Sequence, residues 1–152
     1  MSDTTDTEDE DDAVVPARYQ DTETIRAILR EARTIAVVGL SPSPWRPSHG
    51  VARYLQVAGY RIIPVNPNEQ TILGETCYPS LSDIPVPVDI VDVFRRSEYV
   101  PAIAEEAVKI GAKALWLQYD VISPAGEAIA ERGGLRVVVD RCLKVEHARY
   151  GR

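Results

Sequence analysis

The chain has 152 residues, 45% of them apolar, and a formal charge of −6. Seven acids (Asp3, Asp6, Glu8, Asp9, Glu10, Asp11 and Asp12) precede the first Lys or Arg, so the rest of the chain is close to neutral. It shows no basic face of the kind duplex binding needs and no apolar run near the roughly 20 residues of a membrane span, so neither nucleic acid nor membrane is an expected partner.

An acidic N-terminus is the opposite of a secretory leader. The two cysteines, Cys77 and Cys142, form neither a CxxC nor a metal-type cluster. A cytoplasmic protein with reduced thiols is the expectation. The acidic run repels itself and has nothing to bury, so residues 1–16 are expected to be a disordered tail, with one domain over 17–152.

Asp21 or Thr22 can cap a helix carrying Ile25, Ile28, Leu29 and Ala32 at helical spacing. A β-rich run follows from Thr34 to Gly39, then a polar, Pro-rich loop. A second helix begins near Ser48 with Val51, Leu55 and Ala58 inward, ending at Gly59. Tyr60 to Val65 reads as the second strand, stopped by Asn66-Pro67-Asn68. A short edge strand is expected around Cys77-Tyr78. Val88 to Phe94 is a buried strand, Ser97 to Ile110 a helix, and Ala112 to Leu117 a strand. Ser123-Pro124 reads as an N-cap followed by Pro at the first helical position. Leu135 to Val139 is the last strand, and a short helix runs from about Cys142 to His147.

Continuously apolar strands alternating with helices indicate a single α/β domain. It is Rossmann-like and doubly wound, a mainly parallel sheet with helices on both faces. If the sheet reverses direction after the first strand, Val88–Phe94 lies on that strand's other side. Ligands of such sheets bind at this switch point, outside the carboxyl ends. Two loops would border it, Leu40 to Ser48 and Phe94 to Ser97.

The first loop suits a diphosphate. Gly39 permits a tight turn, Ser41, Ser43 and Ser48 supply hydroxyls, Arg46 a fork of donors, and the helix start free amides. A rigid surface loop is the plain alternative. The G-x-G-x-x-G fingerprint is missing, and the acid that would hold a ribose at the end of the second strand is replaced by Val65-Asn66-Pro67. Nicotinamide cofactors are therefore disfavoured. Arg95 and Arg96 precede an expected Ser97 cap, where the helix dipole is unfavourable to cations. They need an anion or a carboxylate, and at least one is expected to face a ligand.

Other groups carry less. Cys142 and His147, five residues apart, would not share a helix face well for nucleophilic chemistry. A mixed disulfide between a cysteine and a ligand thiol is a further alternative. His49 stands at a helix start, Trp45 and Trp116 either stack or pack, and Asp89 and Asp92 flank the third main strand, where acid–base work is one reading and backbone bonding by the buried Asp92 the other.

Five segments, Ile35–Ser48, Val65–Pro67, Val93–Arg96, Leu115–Gln118 and Asp140–Lys144, together resemble the small bacterial and archaeal CoA-binding proteins. Those are similar to the CoA-binding N-terminal domain of the succinyl-CoA synthetase α subunit, standing alone. The resemblance spans about Asp21 to Tyr150. It implies that CoA or an acyl-CoA lies with its phosphates on Gly39, Ser41, Ser43 and Arg46, beside the Ser48 hydroxyl already singled out. Val65, Asn66 and Pro67 would flank the adenosine end, and Val93, Phe94, Arg95 and Arg96 the crevice wall. Leu117 and Gln118 would meet the pantetheine arm. The synthetase adds a phosphohistidine domain and a nucleotide-binding subunit, so ligase activity by this chain alone is not expected. Non-catalytic binding as a carrier, sensor or regulatory module is the leading reading. A small NAD(P)-linked or CoA-transferring enzyme, completed by a partner or homo-oligomer, is the alternative.

Overall fold

The computed structural model describes residues 14–152. Residues 1–13 of the expected tail lie outside the described residues. Of the remaining three, Val15 packs against the core.

Two helices open on a side-chain cap and a third on proline. The Asp21 carboxylate accepts from the Thr24 amide and opens α1 (Thr22–Glu31). Pro47 stands at the start of α2 (Pro47–Val57), where its missing N–H costs nothing. Ser123 accepts from the Gly126 amide to open α4 (Pro124–Arg132). Two further helices, α3 (Val100–Lys109) and α5 (Leu143–Tyr150), complete the set.

Between them run β1 (Thr34–Val38), β2 (Arg61–Val65), β5 (Ile90–Val93), β6 (Ala114–Leu117) and β7 (Arg136–Val139). They form one parallel sheet in the order β2-β1-β5-β6-β7. This is the α/β, Rossmann-like arrangement expected from the unbroken apolar runs.

Alternation splits the core into two layers. Ile35, Val37, Ile90, Trp116 and Val138 face α1, α2 and α5. Ala36, Val38, Val91, Val93, Leu115 and Leu117 face α3 and α4. Leu29, Ile35, Leu55, Ile90 and Leu143 are fully buried, each contributing roughly 1.5–3 kcal/mol relative to exposure.

Some expectations shift in detail. A two-stranded hairpin, β3 (Thr71–Ile72) with β4 (Glu75–Thr76), forms where no strand was expected. Beyond it, Tyr78 makes a single parallel bridge to Val65 at the sheet edge. Ser97 does not cap its own helix: its hydroxyl accepts from the Ile122 amide, and a 3-10 turn (Ser97–Tyr99) leads into α3.

At the opposite edge a 3-10 turn (Ala17–Gln20) straps the N-terminal segment across β7. The Gln20 amide donates to the Val139 carbonyl, and Arg141 donates to Gln20 Oε1. Arg18 and the Tyr19 hydroxyl both bond Glu131.

Candidate functional site

β1 pairs with β2 on one side and with β5 on the other, with Val38 opposite both Val65 and Val93. The chain direction through the sheet reverses here. A crevice therefore opens above the carboxyl ends of β1 and β5, where the switch point was expected.

Gly39 forms the lip. Its φ of +87° lies in the left-handed region, and a Cβ there would stand 2.7 Å from the Phe94 carbonyl oxygen and 2.9 Å from Arg95 Cδ. Only glycine lets the two loops approach this closely. Its amide donates to the Val65 carbonyl at 3.0 Å, tying the lip to β2.

The loop after Gly39 is built by its own side chains. Leu40 is fully buried and anchors it. Ser48 Oγ accepts from the Ser41 amide at 3.0 Å, and Ser41 Oγ accepts from the Ser43 amide at 3.1 Å. An accepting hydroxyl keeps its proton to donate; Ser41 is half-buried, whereas Ser48 is buried at 5% exposure and serves mainly to hold the loop. Arg46 is exposed and is the α2 N-cap, with no side-chain cap bond. Asn66 Nδ2 donates to the Leu40 carbonyl and Asn66 Oδ1 accepts from the Asn68 amide. Asn66 therefore fixes the loop from below, and Pro67 stands exposed beyond it.

The opposite wall carries the arginines. The Arg95 guanidinium lies 4.2 Å from the Tyr99 ring centroid and Arg96 5.5 Å, with Arg96 also donating to Tyr99 Oη. Arg96 stands 3.8 Å from the Glu98 carboxylate, and this pairing with Tyr99 and Glu98 pushes its pKa up. Among the described residues Arg95 has no carboxylate within ion-pair distance, so its charge is available. Both arginines line a cavity of about 500 Å³ that Pro47, Val51, Gln118 and Cys142 also enclose.

Not every expected residue offers surface. Val93 and Leu117 are sealed in the layer under α3 and α4, and Val65 is buried with them. They set the backbone position and no more. Gln118 is also buried, and its Oε1 already accepts from the Leu143 amide. Trp116 packs in the core, with Nε1 donating to the Arg141 carbonyl, whereas Trp45 is 81% exposed. His49 lines a separate groove with Arg53 and Lys144. Cys142 and His147 do not pair. His147 Nδ1 bonds the Tyr54 hydroxyl at 2.9 Å, and burial, then Arg152, pushes its pKa down.

Asp92 is the correction. It was expected to bond backbone groups, but it is fully buried and neither carboxyl oxygen has a partner. Burial pushes its pKa well above the usual carboxylate range. Asp89 does what was expected of Asp92: its Oδ2 accepts from the Arg33 and Thr34 amides at 2.8 and 3.1 Å. Strand alternation was the available signal, since it puts Asp92 on the face of Ile90, in a wholly apolar layer. Among the described residues no group of three metal-ligating side chains is assembled, and no helix is long and apolar enough to cross a membrane.

The chain matches known proteins over nearly all of the described domain. A family model described as a CoA binding domain covers residues 33–148. The uncharacterized protein YneT of Bacillus subtilis is 44% identical over 124 residues, 82% of this chain and 92% of that one. A solved structure, a hypothetical protein from Pyrococcus horikoshii OT3, superposes with a TM-score of 0.85 at 39% identity. It covers 90% of this chain and 96% of that one. An ADP-forming acetate–CoA ligase of Archaeoglobus fulgidus is 34% identical over 101 residues. That is 65% of this chain but only 15% of the ligase. On the family model and on YneT, this chain belongs to the CoA-binding domain family.

Proposed function

We propose that the chain binds CoA in the crevice between the loops after β1 and β5, as a carrier, sensor or regulatory module rather than as a catalyst. The observation that carries this reading is the lip at Gly39. There a serine-built loop, a helix start and the uncompensated Arg95 meet across a gap that no side chain at Gly39 could share.

The ligand's charge suits the residues present. A diphosphate meets the Ser41 hydroxyl and the first amides of α2. Arg46, Arg95 and Arg96 supply guanidinium forks for it and for the 3′-phosphate. The apolar part of the cavity, Pro47, Val51 and Phe94, suits the pantetheine arm. The ligase that shares this domain is, by its name, a protein that acts on CoA.

Calorimetric titration at near-physiological salt tests the proposal. CoA is expected to bind, and dephospho-CoA about tenfold more weakly, about 1.4 kcal/mol, if a guanidinium holds the 3′-phosphate. Absence of heat and of any thermal shift with both ligands would overturn it.

A further inference from the structure

We propose that the acidic N-terminal segment of this chain, Asp3 to Asp12, docks in a basic groove between α2 and α5. The groove lies beside the crevice assigned to CoA, and the docking itself does not rest on that assignment.

The groove, of about 650 Å³, is lined by His49, Gly50, Arg53, Tyr54 and Val57 of α2 and by Lys144 of α5. His49, Arg53 and Val57 follow one another at intervals of four, so α2 turns one face into it. Arg53 and Lys144 are exposed, and among the described residues neither has a carboxylate within ion-pair distance. Lys144 Nζ stands 5.4 Å from the Tyr54 ring centroid instead.

The sign of the lining sets this groove apart. The cavity at the amino end of the sheet carries Glu31 and Asp89 beside its cations, and the crevice carries Asp120. Among the described residues no carboxylate lines the groove. Gly50 adds a second mark. Its φ is not positive, and a Cβ there would meet no atom within 4 Å. Glycine inside a helix costs roughly 0.5–1 kcal/mol against alanine, and neither strain nor packing in the domain asks for it. Bare backbone at that point lets another segment come close.

The occupant follows from charge and length. The seven acids from Asp3 to Asp12 have no Lys or Arg among them, and the first cation after them, Arg18, is bonded to Glu131. Such a run repels itself unless cations from elsewhere meet it. The chain enters the described domain on the flank that carries Lys144. Gln20 Oε1 accepts from Arg141 at 3.1 Å, and Lys144 follows Arg141 by three residues. Extended, the segment from Asp3 to Val14 spans up to roughly 36 Å, against a radius of gyration of about 14 Å for a domain of this size. The groove is within its reach.

Docking there bears on the crevice. Pro44 also lines the groove and belongs to the loop after Gly39, and His49 follows Ser48. On the CoA reading, carboxylates held at this spot repel the phosphates of the ligand, and the coupling acts equally in both directions.

The test is zero-length cross-linking of the full-length chain with a water-soluble carbodiimide, read by peptide mass spectrometry. The chain has three lysines, Lys109, Lys113 and Lys144, so each new amide reports where the acids lie. The expected result is a bond from an acid of Asp3–Asp12 to Lys144, at least fivefold above the yield at Lys109 and Lys113 together. It should form within one chain when isotope-labelled and unlabelled chains are mixed. It should fall at least fivefold in 1 M salt, where the screening length is about 3 Å, and about threefold in Arg53→Ala, which leaves the lysine in place. Saturating CoA should lower it at least threefold. No bond, similar yields at all three lysines, bonds only between chains, or a yield unmoved by salt or by Arg53→Ala would each overturn the docking. An unchanged yield with CoA, in a chain that gives CoA binding heat, would overturn the coupling. Absence of that heat would instead remove the CoA reading, and the docking then stands or falls on the cross-link alone.

Discussion

The two ends of the sheet treat their charges in opposite ways. At the amino end a cavity of about 380 Å³ is lined by Glu31, Asp89, Lys113 and Arg136. Arg136 meets Glu31 at 3.2 Å, and Asp89 takes two backbone amides. At the carboxyl end Arg95 has no carboxylate within ion-pair distance among the described residues. The Ser41 and Ser48 hydroxyls keep protons to give, and Asp92 has no partner. Two aspartates three residues apart thus have opposite fates. The contrast lies in single residues: Asp89 and Arg136 are partnered at the amino end, whereas Asp92 has no partner and Arg95 has no carboxylate at the carboxyl end among the described residues.

That contrast can be broken most severely at Gly39. Gly39→Ala forces a side chain into a positive-φ position and against the Phe94 carbonyl. It should cost about 3 kcal/mol in urea unfolding and abolish the heat of CoA binding. Normal stability would show that the close approach of the loops is not required.

The two aspartates come next, and the signs should differ. Asp92→Val removes an unpartnered buried carboxyl and should raise stability by about 2 kcal/mol. Asp89→Ala leaves two amides without their acceptor and should lower stability by about 1.5 kcal/mol with CoA binding unchanged. The folded state holds the Asp92 proton above the pH at which the unfolded chain loses it. Wild-type stability should therefore fall as pH rises from the ordinary carboxylate range, and Asp92→Asn should flatten that slope. Denaturant melts across pH check both statements, and a destabilised Asp92→Val would show that the carboxyl has a partner after all.

A smaller effect is expected at Arg95→Ala: about a tenfold loss of CoA affinity, about 1.4 kcal/mol, with a shallower salt dependence and an unchanged melt. The smallest lies at the N-terminal strap. Arg18 and Tyr19 hold the Glu131 carboxyl down to about 2. The contact's contribution is present above the ordinary carboxylate range and is lost as pH falls toward 2. Amide exchange at Ala17–Gln20 should speed up over that window in the wild type, and already at neutral pH in Glu131→Gln.

Most of the fold was legible because local signals agreed with the global pattern. Asp21 caps α1 and Ser123-Pro124 opens α4 as their sequences indicate. The unbroken apolar runs also told that the strands are covered on both faces. The hairpin at Thr71–Thr76 was not legible, since two-residue strands leave no period to read. Ser97 looked like a cap because nothing in its own segment reveals Ile122, 25 residues away, as the donor it serves. The switch point and the loop after β1 could be located from order alone. Side-chain roles inside them could not. Asn66 and Gln118 looked like ligand contacts, yet their amide groups are engaged in holding the loop and the start of α5. Leu117 looked like a contact for the pantetheine arm and is core. Cys142 comes to the crevice through bonds of its neighbours to Trp116 and Gln118, 25 residues away in sequence.

The strap over β7 has a further consequence. With Gln20 bonded to the Val139 carbonyl on one flank and Tyr78 bridged to Val65 on the other, neither border strand presents an uninterrupted row of free amides and carbonyls. A foreign strand cannot simply extend this sheet. A partner of the described domain would therefore dock on helices, loops or the crevice rim and not by adding a strand.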